Sequence, residues 1–176
     1  MFPQRAFTTR YGGRVRVLKT EVGIFIPVSK DEAERLSPQV RACTAVWDTG
    51  ATGTVITKQI ADELGLKPIG ITEVYHAQGK ALTNEYLVNV ALPSGVVVPG
   101  VRVTEGVLTG CDVLIGMDII AMGDFAVTNA NSHGGTTLSF SIPSVAEIDF
   151  VPQSRESEIR RSGNREARRA LKKKRR

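Results

Sequence analysis

Cysteine is nearly absent: Cys43 and Cys111 are the only two in 176 residues. They could pair, but one bridge in a chain of this size is no disulfide scaffold, and each reads as a small buried hydrophobe. Aromatic residues make up 6%, with a single tryptophan, Trp47. No run approaches the roughly 20 apolar residues that a membrane-spanning helix needs. Met1-Phe2-Pro3-Gln4-Arg5 lacks the apolar core of a secretory signal, so a cytoplasmic protein is expected. Internal repeats are absent as well. What is present is 41% hydrophobic residues, 17 glycines and a wealth of Val, Ile and Thr, a composition that leans towards strands and tight turns. The length suits one domain with a real core, plus an appendage.

Charge of one sign is concentrated at the C-terminal end. Residues 154–176 hold eleven Lys or Arg against three Glu, a net of +8, while the other 153 residues carry twelve basic and fifteen acidic groups, a net of −3. The pI of about 9.5 therefore belongs to the tail. With few apolar residues beyond Ile159, Ala167, Ala170 and Leu171, the tail cannot bury enough surface to offset its ordering entropy. It reads either as a solvated, disordered extension or as a surface for nucleic acid or other acidic partners, since clustered cations bring salt-dependent phosphate affinity. The expected organisation is a flexible arm over 1–14, one domain over 15–152 and a basic disordered tail over 153–176.

Along the chain, Val15 and Val17 alternate with Arg14 and Arg16, and Val22 to Val28 reads as a mostly buried strand. Ser29 to Ser37 is polar, and Pro38 ends any helical turn there. Val40 to Asp48 is the next strand, then Val55 to Thr57. Thr57 is placed as the N-cap of a helix over 58–64 that stops at Gly65, with Ile60 and Leu64 on one face. Ile69 to Tyr75 and Ala81 to Leu92 form a hairpin around His76-Ala77-Gln78-Gly79-Lys80. Short strands follow at Val96–Val98 and Val101–Thr104, separated by a Pro99-Gly100 turn, and again at Val113–Ile115. Met117 to Met122 reads as a short helix closed by Gly123, and Phe125–Asn129 pairs with Thr136–Ile142. Strands every eight to twelve residues with two short helices predict an all-β fold, a small closed barrel or a sandwich.

The stretch that carries chemistry is Val46-Trp47-Asp48-Thr49-Gly50-Ala51-Thr52-Gly53-Thr54-Val55-Ile56. An apolar strand ends in a carboxylate, and only small residues follow, leaving room for a partner backbone to approach. Peptide hydrolysis by carboxylates needs a pair, one to take a proton from water and one to give a proton. Two carboxyls about 3 Å apart cannot both ionise, so they share a proton and titrate as a unit. This chain supplies one such residue, because Asp112, Asp118 and Asp124 are not followed by Thr-Gly or Ser-Gly. The second must come from another copy across a two-fold axis, where an isologous interface presents the same residue from both sides.

Asp48-Thr49-Gly50-Ala51, then the hairpin tipped by Gly79, then Val113-Leu114-Ile115-Gly116 before a short helix resemble, in order and spacing, the retroviral-type (retropepsin-like) aspartic proteases. Trp47-Asp-Thr-Gly-Ala51 and Leu114-Ile-Gly-Met-Asp118 resemble the family's non-viral microbial branch most. The resemblance covers residues 15 to about 145. It implies a small closed barrel with a flap hairpin and one or two short helices, active as a homodimer on extended peptides, without cofactor or metal. It implies that Asp48 of each subunit is catalytic. Thr49 would hydrogen-bond the partner's loop, Gly50 would offer its carbonyl to the substrate, and Ala51 and Gly116 would support the loop, Gly116 packing beneath it. Tyr75, His76, Ala77, Gln78, Gly79 and Lys80 would close over the peptide. The sequence departs from the viral pattern at Thr52 and Met117, where viral enzymes carry an ion pair. It also has a single glycine in the flap and a longer C-terminal strand pair. Trp47 is read as a packing residue at the core or dimer interface, Asp118 as a residue that caps or orients its helix, and His76 as a solvated loop histidine. The alternatives to an aspartic endopeptidase are a non-catalytic peptide-binding module of the same fold and a protein that associates with nucleic acid through its 155–176 tail.

Overall fold

The computed structural model describes residues 4–28, 39–76, 79–130, 132, 134–152 and 154–155. The polar segment before Pro38, the hairpin tip Ala77-Gln78 and the basic tail with its nucleic-acid reading lie outside the described residues. The chain divides into two units, residues 1–145 and 146–176.

Among the described residues the first unit holds ten strands and two short helices. The strands are β1 (Arg5–Arg10), β2 (Lys19–Phe25), β3 (Arg41–Trp47), β4 (Val55–Thr57), β5 (Gly70–His76), β6 (Gly79–Ala91), β7 (Val97–Gly106), β8 (Val113–Ile115), β9 (Asp124–Thr128) and β10 (Thr137–Ile142). The helices are α1 (Lys58–Glu63) and α2 (Met117–Ile120). Strands β2-β3-β8-β4-β7-β6 follow one another in a sheet, and β6 also pairs with β2 through Gly23–Ala91, Ile24–Val90 and Phe25–Asn89. That pairing closes a six-stranded ring. The expected barrel is therefore observed, in preference to a sandwich. The long strand β6 serves twice: its second half lies in the ring, and its first half leaves the ring to form a hairpin with β5.

Alternation explains the closure. Val22 and Ile24, Cys43, Ala45 and Trp47, Val88 and Val90, Val101 and Val103, and Val113 and Ile115 are all buried, two residues apart on each strand. A pleated strand sends such residues to one face, and six such faces fill the barrel.

Four sequence expectations change in the structure. The arm over 1–14 is not loose throughout: β1 pairs with β10 from Arg5–Ile142 to Arg10–Thr137, and β9 adds on the other side of β10 to make a separate three-stranded sheet. Its polar alternation hid it, because only Phe7 of this strand packs on the core. Val15 lies in irregular chain and Val17 in a bend, neither in a strand. Val96–Val98 and Val101–Thr104 belong to one strand, in which Pro99-Gly100 forms a bulge rather than a turn. The register shifts there, Gly100 takes a φ of 63° and its N–H donates to the buried Asn89 Oδ1 at 2.9 Å. Thr57 does occupy the N-cap position of α1, but its side chain makes no capping hydrogen bond.

In the second unit residues 151–152 and 154–155 are helical. Asp149 Oδ1 accepts the Val151 N–H at 2.8 Å, and the Ser154 N–H donates to the Phe150 carbonyl at 3.0 Å.

Candidate active site

Strand β3 delivers Asp48 to the edge of the barrel. Its N–H donates to the Ile115 carbonyl at 3.0 Å, which extends the parallel β3–β8 pairing one step past Trp47. The chain then turns on itself: the Gly50 N–H donates to Asp48 Oδ1 at 2.8 Å and the Ala51 N–H to the Asp48 carbonyl at 3.3 Å. One carboxylate oxygen is thus fixed by the backbone, while Oδ2 has no hydrogen-bond partner among the described residues. A side chain on Gly50 would put its Cβ 3.2 Å from Oδ1, so the turn also needs a small residue there.

The loop is held from below by the segment 115–118. The Met117 N–H donates to the Ala51 carbonyl at 2.8 Å and the Asp118 N–H to the Thr52 carbonyl at 3.1 Å. The buried Thr54 donates its N–H to Asp118 Oδ2 at 3.0 Å and its hydroxyl to Asp118 Oδ1 at 2.8 Å, and accepts the Gly116 N–H at 3.3 Å. Asp118 Oδ1 also accepts the Ile119 N–H at 3.0 Å, in the first turn of α2. Gly116 is where the two segments touch. A Cβ there would lie 2.5 Å from the carbonyl carbon and oxygen of Gly53. Its φ of −95° is open to any residue, so the requirement is for space alone. Thr52 and Met117, which replace the viral ion pair, are joined to the opposite segment by backbone hydrogen bonds instead.

Trp47, one residue before Asp48, is core. Its ring stacks on Phe125 at 5.8 Å and packs against Phe7 at 5.8 Å and Phe140 at 5.1 Å, one partner from each strand of the three-stranded sheet. Its Nε1–H donates to the buried Thr20 hydroxyl at 2.9 Å. The other aspartates are committed elsewhere. Asp112 accepts the Thr44 N–H at 2.9 Å, and Asp124 accepts from Ser141, Ser144 and the Val145 N–H.

The structure therefore brings Asp48, Thr49, Gly50, Ala51 and Gly116 into one cluster. Thr49 is exposed, and its hydroxyl has no hydrogen-bond partner among the described residues. The hairpin candidates form a second group on β5 and β6, where Tyr75 pairs with Lys80 and His76 with Gly79. Lys80 Nζ meets Glu73 Oε1 at 2.9 Å on neighbouring strands. Ala77 and Gln78, and the side chains of Tyr75 and His76, lie outside the described residues. Sequence reasoning missed Thr54 and Thr20 and saw Asp118 only as a helix residue. A threonine opening an apolar run carries no signal of its partner sixty residues away. Burial pushes the Cys43 thiol up to about 11, and Cys111 is raised by burial too; both cysteines are free. Among the described residues no group of three or more His, Cys, Asp or Glu side chains could hold a metal ion. Nor is any described helix long and apolar enough to cross a membrane.

Residues 39–121, which span β3 to α2 and hold both halves of this cluster, match the family model described as "gag-polyprotein putative aspartyl protease". This stretch, just under half of the chain, resembles the retropepsin-like aspartic proteases. It contains the Asp-Thr-Gly loop, the hairpin of β5 and β6 and the Leu-Ile-Gly segment. No curated protein matches the chain. Among solved structures it is similar to a retropepsin-like aspartic protease from Rickettsia conorii, at 14% identity over 82% of this chain and 98% of that one, with a TM-score of 0.48. It is also similar to the protease of Simian Foamy Virus (mac), at 16% identity over 59% of this chain and 92% of that one, with a TM-score of 0.40. Both scores fall below 0.5, so the resemblance stands on the matched segment and on the motifs within it.

Proposed function

We propose that the protein is an aspartic endopeptidase that hydrolyses extended polypeptide segments, and that it acts as a homodimer with one Asp48 from each subunit. The observation that carries this reading is the state of the Asp48 carboxylate. One oxygen is held by Gly50, the other has no hydrogen-bond partner among the described residues, and every other aspartate near the cluster is consumed by backbone or hydroxyl donors. Two such carboxylates facing each other share a proton. The ionised one takes a proton from water as it attacks the peptide carbonyl, and the protonated one supports the developing oxyanion; proton return to the leaving amine completes the cycle.

Thr49, exposed and without a hydrogen-bond partner for its hydroxyl among the described residues, is the residue that would meet the partner's loop and keep the two carboxylates level. The Gly50 carbonyl would accept a substrate N–H, Ala51 and Gly116 keep the loop rigid, and the β5–β6 hairpin from Tyr75 to Lys80 would close over the peptide as an added strand does. A cytoplasmic location and the 155–176 tail as a targeting element remain expectations from sequence. The second reading, a peptide-binding module that does not cut, is favoured by the single glycine of the hairpin, Gly79, at a φ of 124°.

The test combines mass measurement of the oligomer with cleavage profiling of a peptide library from about pH 3 to 7, wild type against Asp48→Asn. A dimer whose turnover is lost in the variant is the expected result. Equal cleavage by both proteins, or a strictly monomeric wild type, overturns the proposal. Peptide affinity that survives Asp48→Asn, with no wild-type turnover, selects the binding module.

A further inference from the structure

The inward face of the ring continues onto the underside of the hairpin, and a carboxylate sits where it emerges. Along β6, Val88 and Tyr86 are buried, Asn84 is half-buried and Leu82 is 74% exposed. Residues two apart share a face, and antiparallel partners share it too. The same surface therefore includes Ile71, opposite Asn84 and 72% exposed, and Glu73, opposite Leu82. On β7 the inward row runs Val101, Val103, Glu105, the first two buried and the last half-buried.

Glu105 is adjacent to the catalytic loop in the hydrogen-bond ladder. β7 runs parallel to β4 with Thr104 beside Val55 and Glu105 beside Ile56, and the Thr104 N–H donates to the carbonyl of Thr54, the last residue of the loop. Its carboxylate is held on one side only. Oε2 accepts the Tyr86 hydroxyl at 2.7 Å and the Asn84 amide at 3.3 Å, while Thr83 Oγ1 fixes its backbone carbonyl at 2.7 Å. Among the described residues Oε1 has no hydrogen-bond partner and no ion pair includes Glu105. Lys58, a cation whose charge interacts with Glu105, is occupied by both oxygens of Asp62 at 2.7 and 2.8 Å. Neutral donors orient a half-buried carboxylate but do not neutralise it, so it retains demand for a cation.

We propose that Glu105 is a specificity-determining residue: with Asn84 and Tyr86 behind it and the apolar Ile71 and Leu82 beside it, it forms a subsite for a lysine or arginine side chain of the bound peptide. The long aliphatic stem of such a residue lies along Ile71 and Leu82, and its charged head reaches Oε1, the division that lysine and arginine side chains adopt at mixed surfaces. This inference rests on the reading of the chain as one that holds extended peptides, but not on catalysis.

The experiment uses the full-length Asp48→Asn protein, which binds without consuming its ligand, and labelled extended peptides in which each position in turn is lysine, acetyl-lysine or norleucine. At one position lysine binds at least tenfold more tightly than norleucine, and acetyl-lysine, equal in length but uncharged, loses the advantage. Adding Glu105→Gln brings the lysine-to-norleucine ratio close to one and leaves norleucine affinity unchanged; glutamine keeps an oxygen for Tyr86 and Asn84. Should that variant unfold, Glu105→Met, similar in volume, takes its place. A lysine preference equal in both proteins, one retained by acetyl-lysine, or none at any position overturns the proposal. Discrimination without wild-type turnover sinks the peptidase reading and leaves this subsite standing, whereas no peptide binding at all removes both.

Discussion

Thr54 and Asp118 meet through two hydrogen bonds, N–H to Oδ2 at 3.0 Å and hydroxyl to Oδ1 at 2.8 Å, and so lock the two halves of the Asp48 cluster together. The same hydroxyl accepts the Gly116 N–H. Thr54→Val keeps the shape but removes both interactions of the hydroxyl, leaving the Gly116 N–H in a buried site without its acceptor. A buried polar group stripped of its partner costs about 1–3 kcal/mol. Urea unfolding should show a loss of that size, and turnover should fall by more than the unfolded fraction accounts for, because the loop carrying Asp48 loosens. Unchanged stability in Thr54→Val would mean that these bonds are replaced by water.

Gly116→Ala tests the close approach on the other side of the loop. The new methyl would lie 2.5 Å from the Gly53 backbone, which is flanked by hydrogen bonds at Thr52 and Thr54 and has little room to retreat. Overpacking of this kind costs typically about 1–3 kcal/mol, and the upper end or beyond is expected where the obstacle is backbone. The expected outcome is a lower melting temperature together with loss of peptide cleavage, measured on the same preparation.

The sequence made the barrel legible because burial alternates along β3 and over most of β2, and it made Asp48 legible because Asp-Thr-Gly, the hairpin and Leu-Ile-Gly follow one another in order and spacing. What stayed hidden depends on contacts between distant residues. β1 reads as a polar arm because its inward face offers little besides Phe7, and its strand character comes from the β10 edge that it meets. The Pro99-Gly100 bulge reads as a turn because the buried Asn89 amide that completes it lies on another strand. Glu105 carries no signal in the sequence, and only the register of β7 with β4 and β6 puts it on the inward row.

Trp47 makes the junction between barrel and terminal sheet measurable. As the only tryptophan, 4% exposed among Phe7, Phe125 and Phe140, it should show blue-shifted emission that moves red when that junction opens. Trp47→Ala should cost about 3–5 kcal/mol. Trp47→Phe should cost less, since the ring packing survives and only the Thr20 hydroxyl loses its partner. Deleting residues 1–11 should red-shift the emission even before unfolding, because Phe7 leaves the cluster. An unmoved spectrum in that truncated chain would show that β1 does not seal the junction.

Cys43 gives the fold a specific sensitivity to alkali. Burial raises its thiol from the ordinary value of 9.0 to about 11 in the folded chain, whereas the unfolded chain ionises near the ordinary value. Below pH 9 both states are protonated and the stability linked to this group is fully present. Between about pH 9 and 11 the unfolded state releases its proton first, so stability falls with rising pH, by on the order of 2 kcal/mol for a shift of this size. Cys43→Ala should cost some packing at neutral pH but flatten this part of the pH–stability curve, measured by urea unfolding from pH 8 to 11. Thiol alkylation of the native protein provides an independent check: the half-buried Cys111 should react before Cys43, which should become reactive only as the barrel opens. Equal alkylation rates for the two thiols would place Cys43 in a far more accessible site than the ring of β2, β3 and β8 gives it.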